Sequence, residues 1–286
     1  MSLHALAGIY TDFNQAGTAR FLGVGHSARY ALLRGSTLSA HGLNKSISSA
    51  RVFGSSACDP TLLLFGSPFS FFDFGDFSGQ FHQITNTGST EDNVNLTGAL
   101  NNWATSCLLV ARNRPTEFRV SFRDIFLDKW KEVIDGELSG GAKRDGDPSL
   151  TWEMFPTSVS YLDSDKFYLR IHQKLDIEID WWPDYEASIT YHVRLYPTGG
   201  NIRGYVARWA YWIEGGVKAD DIEEKLAPAV VAGMDKLNEE LGNQLSALDF
   251  LNVQDVYFLP GRQLGNPVDG QLTGTTWSDV TIVLDV

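Results

Sequence analysis

The run "KFYLRIHQKLDIEIDWW" (166–182) alternates apolar and polar residues almost from end to end. Phe167, Leu169 and Ile171 alternate with Tyr168, Arg170 and His172. After a break near Gln173, Leu175, Ile177 and Ile179 alternate with Asp176, Glu178 and Asp180. Successive side chains of a strand point to opposite faces, so this period predicts long strands with one wet face. "ASITYHVRLYP" alternates in the same way, and "TGGN" (198–201) then leads into "IRGYVARWAYWI". Two such runs joined by a Gly-rich turn read as a hairpin.

Helical spacing appears twice nearby. "FLDKWKEVIDGEL" (126–138) sets Leu127, Trp130, Ile134 and Leu138 on one face. Residues 219–248 carry Ile222, Leu226, Val230, Met234, Leu237, Leu241, Leu245 and Leu248 at steps of three and four. Asp220 or Asp221 suits the start of that helix, and Pro228 predicts a kink in its first turns. "LSGGAKRDGDPS" (138–149) reads as a loop. "VQDVYFLPG" (253–261) and the tail "WSDVTIVLDV" read as further strands.

Residues before about 112 have another texture. Short apolar runs such as "ARYALL", "TLLLFG" and "SCLLVA" are broken by Gly, Ser and Asn, with no amphipathic helix among them. That pattern predicts a β-sandwich or barrel. "ARNRPTEF" (111–118) serves as the linker. The fold expectation is therefore a mainly β, two-domain chain. Residues 1–112 form the all-β domain, and 113–286 form an α+β domain of long antiparallel strands and one long helix.

The first domain contains a repeated polar pattern. "NKSISS" (44–49) and "NNWATS" (101–106) each follow a leucine and match at most positions, but Lys45 stands where the second copy has Asn102. Upstream are two aromatic-glycine stretches. "FDFGDFSG" holds Phe72, Phe77 and Gly79, and "YTDFNQAG" holds Tyr10 and Gly17 with Gln15 in place of the middle aromatic.

This ordered duplication resembles the βγ-crystallin superfamily. Its members carry two Greek-key motifs per domain, an aromatic-glycine hairpin in each, and in microbial members an [Asn/Asp]-[Asn/Asp]-x-x-[Ser/Thr]-Ser calcium stretch. The resemblance covers about 110 residues and implies a double Greek-key sandwich. It also implies calcium sites shared between the two loops. Asn101, Asn102, Thr105 and Asp73 are the candidates for one site, and Asn44 and Ser48 for the other. Calcium takes six to eight oxygens, and these side chains supply neutral ones, so affinity should be modest. Lys45 offers only donors and repels a cation, so calcium binding is expected to be weak or lost. The two-domain layout is similar to that of the perithecial proteins of filamentous fungi, although the helix at 219–248 departs from an Ig-like second domain. Long strands followed by a Leu-rich helix are also similar to the tubular lipid-binding fold.

The net charge of −12 argues against nucleic acid as a partner, because a basic footprint is missing. Trp181, Trp182, Trp209, Tyr211 and Trp212 suggest an aromatic surface for lipid, membrane or glycan, and Asp176, Glu178 and Asp180 form an acidic stripe. Neither G-x-S-x-G nor H-E-x-x-H occurs, and no enzymatic role is expected. The expectation is a structural or stress-type protein; the alternative is a lipid-, membrane- or glycan-binding, toxin-like protein acting through the second domain. "MSLHALAGIYTDF" lacks a basic n-region and a long apolar h-region, so no signal peptide is read and the cytoplasm is the default location. Cys58 and Cys107 are read as two buried thiols, or as one disulfide if the protein is exported.

Overall fold

In the computed structural model, Gly199 and Gly200 both take positive φ and close the hairpin that the "TGGN" turn predicts, with Thr198 opposite Asn201. The structure describes residues 3–25, 30–55, 58–66, 80–88, 90–112, 117–139, 141–153, 166–178, 185–216, 219–260 and 279–286. They fall into two compact units.

Among its described residues the first unit consists of strands, one short helix and two single 3-10 turns, with their connections. Its strands are β1 (Leu3–Asp12), β2 (Ala16–Gly25), β3 (Tyr30–Leu33), β4 (Ser49–Phe53), β5 (Asp59–Gly66), β6 (Gln80–Thr85), β7 (Asp92–Asn95) and β8 (Ser106–Arg112). A six-residue helix, α1 (Gly35–Ala40), interrupts them, contrary to the all-strand expectation. It is too short and too rich in Gly, Ser and Thr to leave a periodic signal; only Leu38 is buried. The strands form two four-stranded antiparallel sheets, ordered β2-β1-β4-β7 and β3-β8-β5-β6. Each sheet thus takes three strands from one half of the sequence and one from the other. Ala7, Ile9, Val24, Val52, Leu62, Leu64, Cys107 and Leu109 are among the side chains that fill the core.

Cys58 and Cys107 are both buried and are not joined in a disulfide. Asp59, beside Cys58, pairs with Arg112, whereas Cys107 pairs with Leu64 five rungs away. At about 3.4 Å per residue these two rungs lie roughly 17 Å apart along the strand, too far for a disulfide between neighbours of each.

In the second unit, β9 (Glu117–Ser121) leads into α2 (Phe122–Glu137), which starts before the predicted 126. Ser121 Oγ accepts from the Asp124 amide at 3.0 Å and donates to Asp279 at 2.7 Å. Asp279 also accepts from the Arg123 amide at 2.9 Å, so two side chains cap one helix start.

Next comes β10 (Ala142–Glu153), where a loop was expected. Its charged residues hide the strand because they pair with α2 rather than with solvent. Arg144 makes a two-pronged pair with Asp135 at 2.6 and 2.7 Å, and Asp147 pairs with Arg123 and Lys131.

β11 (Tyr168–Ile177), β12 (Tyr185–Thr198) and β13 (Asn201–Ile213) complete the sheet β10-β11-β12-β13. The predicted break at Gln173 is not a break. Gln173 is fully buried and keeps the core-facing register between Ile171 and Leu175. Its amide accepts from Trp130 Nε1 at 3.2 Å and donates to the carbonyls of Gly146 and Lys174 at 3.2 and 2.8 Å.

The long helix α3 (Ala219–Ser246) packs along β13 and α2. It runs on through Pro228 without interruption; the carbonyl that loses a partner belongs to exposed Glu224, where solvent can take it. Gly233, rather than Met234, faces the core, because Tyr191 sits against it and donates its hydroxyl to the Val230 carbonyl at 2.7 Å. β14 (Asp255–Pro260) and β15 (Val280–Asp285) form a second sheet, β14-β15-β9. Among the described residues no helix is long and apolar enough to cross a membrane.

Candidate functional site

The two polar loops meet in the first unit. Loop 44–49 follows α1 and enters β4; loop 101–106 follows a 3-10 turn at Gly98–Leu100 and enters β8. Their hydrogen bonds are reciprocal. The Lys45 amide donates to the Ala104 carbonyl at 3.0 Å, and the Asn102 amide donates to the Ile47 carbonyl at 3.0 Å. The fifth residues match too: Ser48 N–H donates to Tyr10 at 2.9 Å, and Thr105 N–H donates to Phe65 at 2.7 Å.

Those last two bonds identify the structural repeat. Tyr10 in β1 and Phe65 in β5 are counterparts, paired respectively with Ala19 and Phe81. The sequence pattern instead matched Tyr10 with Phe72. Phe72, Asp73, Phe77 and Gly79 lie outside the described residues. Gly17 has φ of 76°, and a side chain there would collide with Thr11 and Asp12, so only glycine suits the fold-over of the first hairpin.

Of the predicted metal-site residues, the structure joins Ser48 with Asn102: Ser48 Oγ donates to Asn102 Oδ1 at 3.1 Å. It does not join Asn102 with Thr105, nor Asn44 with Ser48. Thr105 Oγ1 donates to the Phe65 carbonyl at 3.2 Å, and Asn44 donates its amide to Ser39 Oγ at 3.0 Å. Asn101 Oδ1 is buried without a hydrogen-bond partner. The pairing therefore crosses the loops, second position to fifth. The equivalent positions of the opposite crossing are Lys45 and Thr105, and there Thr105 Oγ1 bonds the Phe65 carbonyl instead.

The Ser48–Asn102 pair fits a calcium ion in one respect. Two oxygens each about 2.4 Å from the ion, at the 72–90° angles of a pentagonal bipyramid, lie about 2.8–3.4 Å apart. The observed 3.1 Å falls within that range, and Asn102 is exposed to incoming ions. The Lys45–Thr105 pair does not fit, since it offers one hydroxyl and an ammonium. Among the described residues no group of three or more His, Cys, Asp or Glu side chains is placed to hold a metal ion. Sequence spacing alone could not reveal the cross-loop pairing, because it depends on the reciprocal backbone bonds.

The aromatic set of the second unit is divided. Trp209 and Tyr211 stack at 6.1 Å, and Tyr211 donates its hydroxyl to Glu223 of α3 at 2.5 Å. Trp212 points to the other face of the sheet and is 55% exposed. Trp181 and Trp182 lie outside the described residues, as does Asp180. Glu178 pairs with Lys143, while Asp176 stands directly opposite Glu186.

No protein family, curated protein or solved structure matches the chain significantly.

Proposed function

We propose that the first unit is a βγ-crystallin-like double Greek key and that the protein has a non-enzymatic, structural or stress-type role with calcium binding reduced to one weak position. The observation that carries the reading is the duplicated strand order. In a Greek key the fourth strand returns to lie beside the first. β4 lies beside β1, and β8 beside β5, while the third strand of each half, β3 or β7, joins the opposite sheet. The reciprocal loops give that duplication a second, independent support.

In this reading Ser48 and Asn102 hold the ion with oxygens from both loops, so the ion ties the two halves together. A neutral oxygen set with few carboxylates implies a Kd on the order of 10⁻⁴ M or weaker.

Calcium titration of the intact chain tests this reading. Ser48→Ala is expected to weaken binding about tenfold, by loss of one oxygen ligand, and Thr105→Ala to leave it unchanged. Binding that survives Ser48→Ala but not Thr105→Ala would overturn it, as would no binding at millimolar calcium.

A further inference from the structure

The wet face of the sheet in the second unit holds a cleft of about 150 Å³ lined by Asp145, His172, Lys174, Asp176, Glu186 and Trp212, among others. One water needs only about 10–15 Å³ of such space, so the cleft has room for a small organic ion. The ladder explains how these residues meet. Asp176 is opposite Glu186, and in the next row on that face Lys174, Ser188 and Trp212 lie side by side across β11, β12 and β13.

Three features of the lining point to a cation. First, Asp176 and Glu186 are like charges directly opposite each other, an arrangement that disfavours the sheet unless a positive group enters. Neither they nor Asp145 has an ion pair among the described residues, and Lys174 is the one ammonium beside three carboxylates. Second, His172 does not add a positive charge. Burial, then Arg170 and Lys174, push its pKa down to about 4. Third, Trp212 is 55% exposed at the cleft instead of packed in a core. Glu186 is its diagonal neighbour across β12 and β13, about 7–8 Å away, and a cation bound within about 6 Å of an indole ring can also reach such a carboxylate.

We propose that this cleft binds an organic ammonium ion, with Trp212 as the ring platform and Glu186 and Asp176 as the counter-charges. An inorganic cation would use the carboxylates but not the ring. An ammonium carrying methyl or methylene groups uses both.

The test is calorimetry of the full chain with choline chloride, against sodium chloride at matched ionic strength. Saturable heat with choline alone is expected. Trp212→Ala is expected to weaken it about tenfold and Glu186→Gln severalfold. Lys174→Ala is expected to tighten it, because a repelling charge is removed. Trp212 and Glu186 are exposed, and unchanged circular dichroism in the variants confirms folding. A parallel arm uses phosphatidylcholine vesicles: sedimentation lost in Trp212→Ala marks a lipid headgroup as the source, and choline binding without vesicle binding marks a free ion. No saturable heat with choline, or choline heat that Trp212→Ala leaves intact, overturns the proposal. Equal binding of sodium and choline does so too, since it reduces the cleft to an acidic patch.

Discussion

Lys45 and Asn102 occupy matched positions on facing loops: both take positive φ, 52° and 56°, and each donates its amide to the carbonyl of the fourth residue of the other loop. The left-handed conformation favours Asn and strains Lys. Lys45→Asn should therefore stabilise the first unit by about 0.5–1 kcal/mol. Asn102→Ala should destabilise it by about 1–2 kcal/mol, because it adds strain and removes the acceptor of Ser48. Urea unfolding midpoints check both signs.

The indole of Trp103 lies on Gly66, where an added Cβ would come within 2.5 Å of the ring. Gly66→Ala should cost about 2–3 kcal/mol, since the strand and the ring cannot both stay in place. The same substitution made in a Trp103→Ala background should cost less than half as much. A double-mutant cycle by chemical denaturation measures the difference.

Gln173 is the polar link between α2, β10 and β11. Gln173→Leu keeps the volume and strands the Trp130 N–H without an acceptor in the core. A loss of about 2–3 kcal/mol is expected. A smaller loss in Trp130→Phe/Gln173→Leu than the sum of the single changes would show that the bond, and not packing, sets the cost.

His172 is held neutral by burial and by Arg170 and Lys174, with a pKa near 4 against an ordinary value of 6.5, and its Nδ1 lies 2.9 Å from Thr190 Oγ1. The folded pKa is depressed, so the unfolded chain binds the extra proton first. The stabilisation is complete above about pH 6.5 and is lost as pH falls toward 4. Because the ring is partly solvent-screened, about 1–2 kcal/mol of pH-dependent stability is expected. Comparing the pH dependence of unfolding in the wild type and His172→Asn isolates this slope from that of the carboxylates.

Much of the second unit was legible because its residues obey one period at a time. The hairpin at Gly199–Gly200 and the helix from Ala219 followed from alternation and from Leu spacing. Legibility failed where a polar residue did core work. Gln173 looked like an interruption because its side-chain amide is satisfied in the core, chiefly by groups distant in sequence on Trp130 and Gly146. β10 looked like a loop because Arg144 and Asp147 are neutralised by α2. In the first unit the duplicated loops were visible as a pattern. Their mutual arrangement was not, since it is set by backbone bonds between residues more than fifty positions apart. The same holds for the partner of Ser48, which proved to be Asn102 and not Asn44.

In the proposed calcium-binding reading, each ion position combines the second residue of one loop with the fifth of the other, and Lys45 disables the position containing Thr105. The most direct measurement is calcium stoichiometry by titration calorimetry on the wild type, Lys45→Asp and Lys45→Asp/Thr105→Ala. The expected result is one weak ion for the wild type, two for Lys45→Asp, and a return to one for the double variant. An unchanged stoichiometry in Lys45→Asp, or a gained ion that persists without the Thr105 hydroxyl, would contradict it.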